Sequence, residues 1–291
     1  MDLGRLFDLE PHGPDTFVGA GPRYPWGGLY GGQIVAQALR AAAATVDASM
    51  SPHSLRAYFI RRGDPSEPVR YEVDRIRNGR SFCTRRVVAR QAVGAILNLE
   101  ASFQLPEEAD DLQTVVMPAG IAQPGRIDDD SWTTSFERCS VPDELRSEHS
   151  SDLPDRPALP ARPGRVSAWM RVTDPVVDDQ LVHRCWLAYM SDDLPTDSVR
   201  RALAEGDPDS RRGVDRDHGD GWWNEVFAAS LDHTIWFHRP LQVDQWHLYD
   251  MACHGYVGGR GLSIGHVFTA DGLHAATIAQ EVLLRRGRQT Q

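Results

Sequence analysis

A short acidic stretch after a predicted helix is the first candidate for chemistry in this sequence. It reads Ser191-Asp192-Asp193, and strands predicted further along the chain supply hydroxyls and an amide at Ser230, Thr234 and Gln280. A carboxylate beside a hydroxyl and an amide can hold a water molecule, because the carboxylate takes the proton while the other groups fix the orientation. This arrangement suits hydrolysis without a metal or a covalent nucleophile. The same residues also fit an ordinary turn at the end of a helix, so both interpretations stay open at this point.

The thiols of the chain form no recognisable reactive motif. They are widely spaced, include no CxxC pair and have no histidine at zinc-ligand spacing, which is typical of reduced, buried cysteines in a cytoplasmic protein. We also expect none of the serine or cysteine residues to lie in a GxSxG nucleophile elbow. The cysteines are Cys83, Cys139, Cys185 and Cys253.

Two histidines precede strands that occupy matching places in the two halves of the chain. His53 and His233 are both expected to be hydrogen-bonded structural side chains rather than proton shuttles, given that Asp232 adjoins His233. The acidic run at 215–220 lacks the ordered ligand spacing of a calcium loop, so we expect a solvated loop there. The sequence therefore predicts no metal site and no cofactor.

The composition indicates a folded, acidic protein. The chain has 291 residues, 41% of them hydrophobic, and a formal net charge of −10; all 31 of its cationic side chains other than histidine are arginines. This apolar content excludes wholesale disorder, and no run of 18 apolar residues is present to predict a transmembrane helix. The first residues show no secretory signal pattern. An acidic chain is also a poor candidate for general nucleic-acid binding.

The N-terminal part of the chain predicts one buried helix followed by an antiparallel meander. Residues 31–46 are rich in alanine and almost uncharged, which indicates a helix that is apolar nearly all round and therefore buried. After it, β-branched and aromatic residues alternate with polar ones, and Gly79 and Gly94 mark turns. The predicted strands are 53–61, 69–77, 81–90 and 95–104.

The C-terminal part predicts a second copy of this pattern. A strand at 165–172 precedes a helix that begins at Pro175, is capped by Asp174 and continues to Met190. The predicted strands that follow are 230–239, 246–256, 261–269 and 275–284. Residues 58–61 match 236–239 and residues 79–82 match 259–262, an ordered agreement that favours internal duplication.

We therefore expect an N-terminal unit at 1–108, a connector at 109–162 and a C-terminal unit at 163–291. The connector is rich in proline and aspartate, and within it we expect residues 132–139 to pair as a strand. The second copy carries a long insertion at about 193–228, between its helix and its first long strand.

Several short segments then carry a family resemblance. They occur in register and in the order seen in type II acyl-CoA thioesterases, so the chain resembles this TesB-like family from about residue 23 to 285. The resemblance implies an α+β protein with two tandem hotdog folds, each an antiparallel sheet wrapped around a long buried helix. The segments are 30–39 (YGGQIVAQAL), 53–63 (HSLRAYFIRRG), 79–82 (GRSF) with 85–87 (RRV), 101–104 (ASFQ), 232–240 (DHTIWFHRP) and 280–281 (QE).

The resemblance also implies hydrolysis of acyl-CoA to a free carboxylic acid and CoA by an activated water. The catalytic aspartate of the family falls on Asp192 and its glutamine on Gln280. The family threonine falls on Ser230, a departure that keeps the hydroxyl but loses the methyl group that restricts its rotamers. Asp193 stands where relatives commonly have an aromatic or histidine side chain, and it adds a second charge beside the expected general base.

Two other functions stay open on the sequence alone. One is a hotdog enoyl-CoA hydratase or dehydratase, which needs an aspartate and a histidine on and just after the buried helix, whereas Asp193-Leu194-Pro195 follows Asp192. The other is non-catalytic binding of acyl-CoA, which the serine at position 230 would permit. Because hotdog sheets commonly associate, we also expect a homodimer or homotetramer.

Overall fold

The structure, a computed structural model, describes residues 6–143, 164–206 and 226–286. In these ranges one antiparallel sheet of thirteen strands surrounds two helices, and a third helix packs against the sheet. No helix within these ranges is long and apolar enough to cross a membrane. The helices are α1 (Gly31–Ala43), α2 (Gln180–Met190) and α3 (Pro195–Gly206). The strands are β1 (Glu10–Pro11), β2 (Thr16–Gly19), β3 (Ser51–Phe59), β4 (Val69–Asn78), β5 (Phe82–Gln91), β6 (Gly94–Gln104), β7 (Phe136–Ser140), β8 (Val166–Val172), β9 (Val226–Ser230), β10 (Asp232–Phe237), β11 (His247–Val257), β12 (Arg260–Thr269) and β13 (His274–Arg286).

Helix α1 is buried along almost its whole length and packs against strands β2 to β6. It ends three residues earlier than the predicted 31–46, because Arg85 binds the chain where it leaves the helix. The buried Arg85 guanidinium donates from Nε to the Thr45 hydroxyl at 2.7 Å and from Nη2 to the Thr45 carbonyl at 3.0 Å. The alanine-rich sequence of α1 therefore predicts the helix, and a tertiary contact sets its end.

Helix α2 begins at Gln180, so the predicted start at Pro175 with Asp174 as the cap is wrong. Asp179 caps the helix instead, because its carboxylate accepts a hydrogen bond from the Leu181 amide at 2.8 Å. The helix then reaches Met190, as predicted.

The long strand predicted at 230–239 is two strands, β9 and β10, separated by Leu231. The Leu231 amide donates to the Glu281 carbonyl of β13 at 2.9 Å, and its carbonyl accepts from the Phe59 amide of β3 at 3.0 Å. Leu231 thus bonds to β13 on one side and to β3 on the other, at the point where β9 ends. As a consequence Ser230 lies at a strand end.

The pairing of β3 with β10 joins the two halves of the sheet. Inside it, α1 and α2 pack on each other and share one apolar core with both halves. This confirms the expected α+β class, with two tandem hotdog folds wrapped around buried helices. The strand predicted at 132–139 is found as the shorter β7, which pairs with β8 at the edge. The predicted insertion contains α3, and the run at 215–220 lies outside the described residues.

Candidate active site

Asp192 follows the C-terminal end of α2, next to the first turn of α1. The residue is buried, with 9% of its surface exposed. Its Oδ2 atom accepts a hydrogen bond from the Gly32 amide at 2.9 Å, and its Oδ1 atom accepts one from the Ser230 hydroxyl at 3.2 Å. Both carboxylate oxygens therefore have a fixed donor from a different part of the chain.

Ser230 and Gln280 reach this carboxylate from two neighbouring strands, β9 and β13. The fully buried Gln280 donates from Nε2 to the Ser230 hydroxyl oxygen at 2.7 Å. Ser230 is only partly buried, so it is the most exposed of the three side chains. The structure thus brings together Asp192, Ser230 and Gln280, the three residues that the sequence predicts as the site.

The backbone donor at Gly32 depends on a very close approach of the two helices. A Cβ atom at Gly32 would lie 2.1 Å from the Tyr189 carbonyl oxygen of α2, which only glycine avoids. The Gly32 amide is one of the free donors of the first turn of α1, and the positive end of the helix dipole favours a carboxylate there. The paired glycines in the sequence indicate a close backbone approach, but they do not identify its partner.

Burial controls the ionisation of Asp192. Removal from water raises the pKa of this carboxyl from 3.8 to about 7, although hydrogen bonds from Gln280, Ser230 and Gly32 act in the opposite direction. The neighbouring Asp193 contributes a smaller increase through charge repulsion. An aspartate with a pKa near 7 can exchange a proton close to neutral pH, as a general base must.

Asp193 points away from this cluster into an ion pair. Its Oδ2 atom accepts from the Arg138 guanidinium at 2.8 Å, and its Oδ1 atom accepts from the Trp132 indole. Both members of the ion pair are largely buried, with side-chain exposures of 16% for Arg138 and 6% for Asp193. Arg138 therefore offsets the second charge that the sequence places beside Asp192. The sequence alone does not reveal this cation, which lies 55 residues earlier in the chain.

The histidines agree with the expectation of hydrogen-bonded structural side chains. His53 Nε2 contacts the Ser102 hydroxyl at 2.8 Å. His233 is buried between Ser191, whose hydroxyl lies 2.8 Å from Nε2, and the Gln280 amide oxygen, which contacts Nδ1. His233 thus touches the candidate site through Gln280.

Residues 261–265 read GLSIG and match the spacing of a nucleophile elbow. In the structure, however, Ser263 lies in the middle of β12, fully buried, and its hydroxyl accepts from the Ser198 hydroxyl at 2.7 Å. A serine in a continuous strand lacks the exposed turn that an elbow requires. In the residues that the structure describes, no group of three or more His, Cys, Asp or Glu side chains could hold a metal ion.

Solved structures agree with this fold. The chain is similar to the crystal structure of an acyl-CoA thioesterase II from Mycobacterium marinum, with a TM-score of 0.78, 31% identity and full coverage of both chains. It also shares its fold with a hot dog protein of unknown function from Alicyclobacillus acidocaldarius, with a TM-score of 0.75, 19% identity and 98% coverage of each chain. The architecture is that of the double-hotdog proteins.

Family comparisons then identify the group within this fold. The model of the acyl-CoA thioesterase N-terminal domain matches residues 21–104, and that of the C-terminal domain matches residues 106–284. The chain is 30% identical to acyl-CoA thioesterase 2 of Haemophilus influenzae, over 98% of this chain and 97% of the relative. It is 32% identical to human acyl-coenzyme A thioesterase 8, over 96% and 88% of the two chains. The chain belongs to the acyl-CoA thioesterase family.

Proposed function

We propose that the chain hydrolyses acyl-CoA thioesters to a free carboxylic acid and CoA, with a water molecule activated by Asp192, Ser230 and Gln280. The observation that carries this proposal is the buried Asp192 carboxylate, whose two oxygens are each held by a donor while Gln280 holds Ser230. Membership of the acyl-CoA thioesterase family supports the same substrate class and reaction.

The hydrogen-bonding capacity of the cluster leaves room for a water molecule. Asp192 accepts from Gly32 and Ser230, and the Gln280 amide also acts on it; a carboxylate offers about four lone-pair positions, so one is left for a water molecule. The Ser230 oxygen donates to Asp192, accepts from Gln280 and keeps one lone pair. A water molecule can therefore donate one hydrogen to Asp192 and the other to Ser230. A lone pair of the water oxygen then points away from these two residues.

The reaction follows from that orientation. Asp192 takes a proton from the water while the water oxygen forms a bond to the thioester carbon, and the carbonyl electron pair moves onto its oxygen. Gln280 donates one N–H to the Ser230 oxygen, and its second N–H can donate to Asp192 before the reaction or to the oxyanion as it develops. Collapse of the intermediate breaks the carbon–sulfur bond, and the proton held by Asp192 leaves with the CoA thiol. No acyl-enzyme forms.

The deciding experiment measures CoA release from a panel of acyl-CoA thioesters by the wild-type chain, Asp192→Asn and the matched control Asp193→Asn. General-base catalysis contributes on the order of 10²–10⁴ in rate, so Asp192→Asn should lose this factor in kcat. The Asp193 side chain bonds to Arg138 and Trp132 and not to the cluster. We therefore expect the kcat of Asp193→Asn to stay within about tenfold of the wild-type value.

Three results would contradict the proposal. Equal kcat values for wild type and Asp192→Asn would remove Asp192 from the mechanism. Loss of enoyl absorbance without CoA release would indicate a hydratase or dehydratase. Saturable binding of acyl-CoA with no CoA release, unchanged in Asp192→Asn, would indicate a binding protein.

We also propose that the chain forms a homodimer or homotetramer. Tyr58 and Trp236 are 49% and 43% exposed on the outer face of the adjacent strands β3 and β10, near the middle of the sheet. Exposed aromatic side chains on a sheet face are suited to burial against a second copy. Light scattering should give the mass of a dimer or tetramer, and Trp236→Arg should lower it. A monomeric wild type would contradict this proposal.

A cytoplasmic location is our proposal for the compartment. The four cysteines are all free, as expected for a reducing environment, and three of them are buried. Fractionation of cells that produce the protein from its own gene should recover it with cytoplasmic markers. Recovery with an organelle or with the medium would contradict the proposal.

A further inference from the structure

His233 has a place in the structure that the mechanism above does not use. It lies on β10 with its side chain fully buried, directly between the end of α2 and Gln280 of β13. One ring nitrogen, Nε2, is 2.8 Å from the Ser191 hydroxyl, and the other, Nδ1, contacts the Gln280 amide oxygen. Both nitrogens are therefore committed to specific partners.

The donors and acceptors around the ring define its tautomer. The Gln280 oxygen can only accept a hydrogen bond, so His233 must carry its proton on Nδ1. Burial lowers the pKa of His233 to about 4, so the ring is neutral near pH 7 and Nε2 keeps a lone pair. Nε2 can therefore accept from the Ser191 hydroxyl at 2.8 Å, a hydroxyl that also lies 3.0 Å from the Ala188 carbonyl oxygen and shares its one hydrogen between the two acceptors. The hydrogen bonds then run in one direction, from Ser191 through His233 to Gln280.

This direction matters because the Gln280 amide has two ends. Its NH₂ group faces Ser230, whose hydroxyl in turn donates to Asp192. If the Gln280 amide rotated by half a turn, its oxygen would face the Ser230 oxygen and the Asp192 carboxylate. The two N–H donors of Gln280 would then point away from the site. The Nδ1–H of His233, on the other side of Gln280, opposes that rotation. Its hydrogen bond to the amide oxygen holds this oxygen away from Asp192.

We propose that His233 is a positioning residue for thioester hydrolysis, because its Nδ1–H holds the Gln280 amide with the NH₂ group turned toward Ser230 and Asp192. The inference rests on the role proposed above for Gln280. His233 itself transfers no proton and touches no substrate.

A matched pair of variants separates this role from simple packing. In His233→Asn the side-chain amide can place a donor near the position of Nδ1, whereas in His233→Gln the longer side chain places its polar end near Nε2. We expect His233→Asn to keep kcat within about fivefold of wild type. His233→Gln should lose about tenfold to hundredfold in kcat, with KM changed by less than about threefold.

A purely structural role predicts the opposite order, because glutamine fills more of the space of histidine than asparagine does. Equal losses of kcat in the two variants, or a greater loss in His233→Asn, would overturn the proposal. Thermal unfolding of both variants shows how far each is folded, and kcat is expressed per folded molecule. The ratio of the two kcat values is therefore independent of a general loss of stability.

A double-mutant cycle tests whether His233 acts through Gln280. With Gln280→Ala already present, His233→Gln should change kcat by less than about twofold, since no amide remains to be oriented. A full additional loss of kcat in the double variant would overturn the inference and leave the role of Gln280 intact. Wild-type kcat in Gln280→Ala alone would instead refute the site proposed above, so the two failures are distinguishable.

Discussion

Asp192→Asn should stabilise the folded chain at alkaline pH while it impairs hydrolysis. Burial raises the pKa of Asp192 from 3.8 to about 7, so folding favours the protonated carboxyl. Below pH 3.8 the carboxyl is protonated in both the folded and the unfolded chain, and it has no effect on stability. Between pH 3.8 and 7 only the unfolded chain loses the proton, so the free energy of unfolding falls as the pH rises.

The magnitude follows from the two pKa values. At about 1.36 kcal/mol per pH unit, the ionisation of Asp192 costs about 4 kcal/mol of folding stability above pH 7. About 3 kcal/mol of this cost accumulates between pH 5 and pH 8. Asparagine cannot ionise, so the stability of Asp192→Asn relative to wild type should increase by about this amount over the same interval.

Urea unfolding followed by tryptophan fluorescence at pH 5 and pH 8 measures this difference. Asp193→Asn is the matched control: it removes an ion pair with Arg138 and should destabilise the chain at both pH values. The comparison between two pH values removes any constant effect of the substitution on packing. An Asp192→Asn variant whose advantage over wild type is the same at pH 5 and pH 8 would refute the reasoning.

Substitutions at three further residues test individual contacts of the site. Ser230→Thr should keep kcat within about threefold because the hydroxyl remains, whereas Ser230→Ala should lose about tenfold to hundredfold in kcat; equal values for both would contradict a role for the hydroxyl. Gly32→Ala should cost about 2–3 kcal/mol in urea unfolding and lower kcat, since its Cβ collides with the Tyr189 carbonyl; unchanged stability would contradict the close approach. Arg138→Met should cost about 3–5 kcal/mol by leaving Asp193 buried and unpaired, and adding Asp193→Asn should recover part of this loss in the same assay.

Much of the fold could be predicted from the sequence because its signals are local. The alanine-rich α1 and the alternating strands β3 to β6 and β11 to β13 lie within a few residues of the predicted positions. The predicted start of α2 is wrong because Asp179, rather than Asp174, caps it, whereas two other errors occur where a distant group decides the outcome. Arg85 ends α1, and the pairing of Leu231 with two neighbouring strands divides the strand predicted at 230–239.

In the candidate site, too, some residues could be predicted from the sequence and others could not. Asp192, Ser230 and Gln280 have side chains whose chemistry is visible in the sequence, and family resemblance indicated which of many polar residues to choose. The Gly32 amide has no such signal, since every residue except proline carries one. Arg138 could not be predicted either, because the ion pair with Asp193 depends on how β7 approaches the end of α2.

The pH dependence of kcat/KM for CoA release tests most directly whether a buried carboxylate activates the water. Because Asp192 must be ionised to accept a proton and its pKa is about 7, kcat/KM should rise between pH 5.5 and 8 and level off above that. The apparent pKa of the rise should lie near 7, and the rise should be absent from the residual activity of Asp192→Asn. A profile for the wild-type chain that is flat over this range, or one that Asp192→Asn reproduces, would contradict the account.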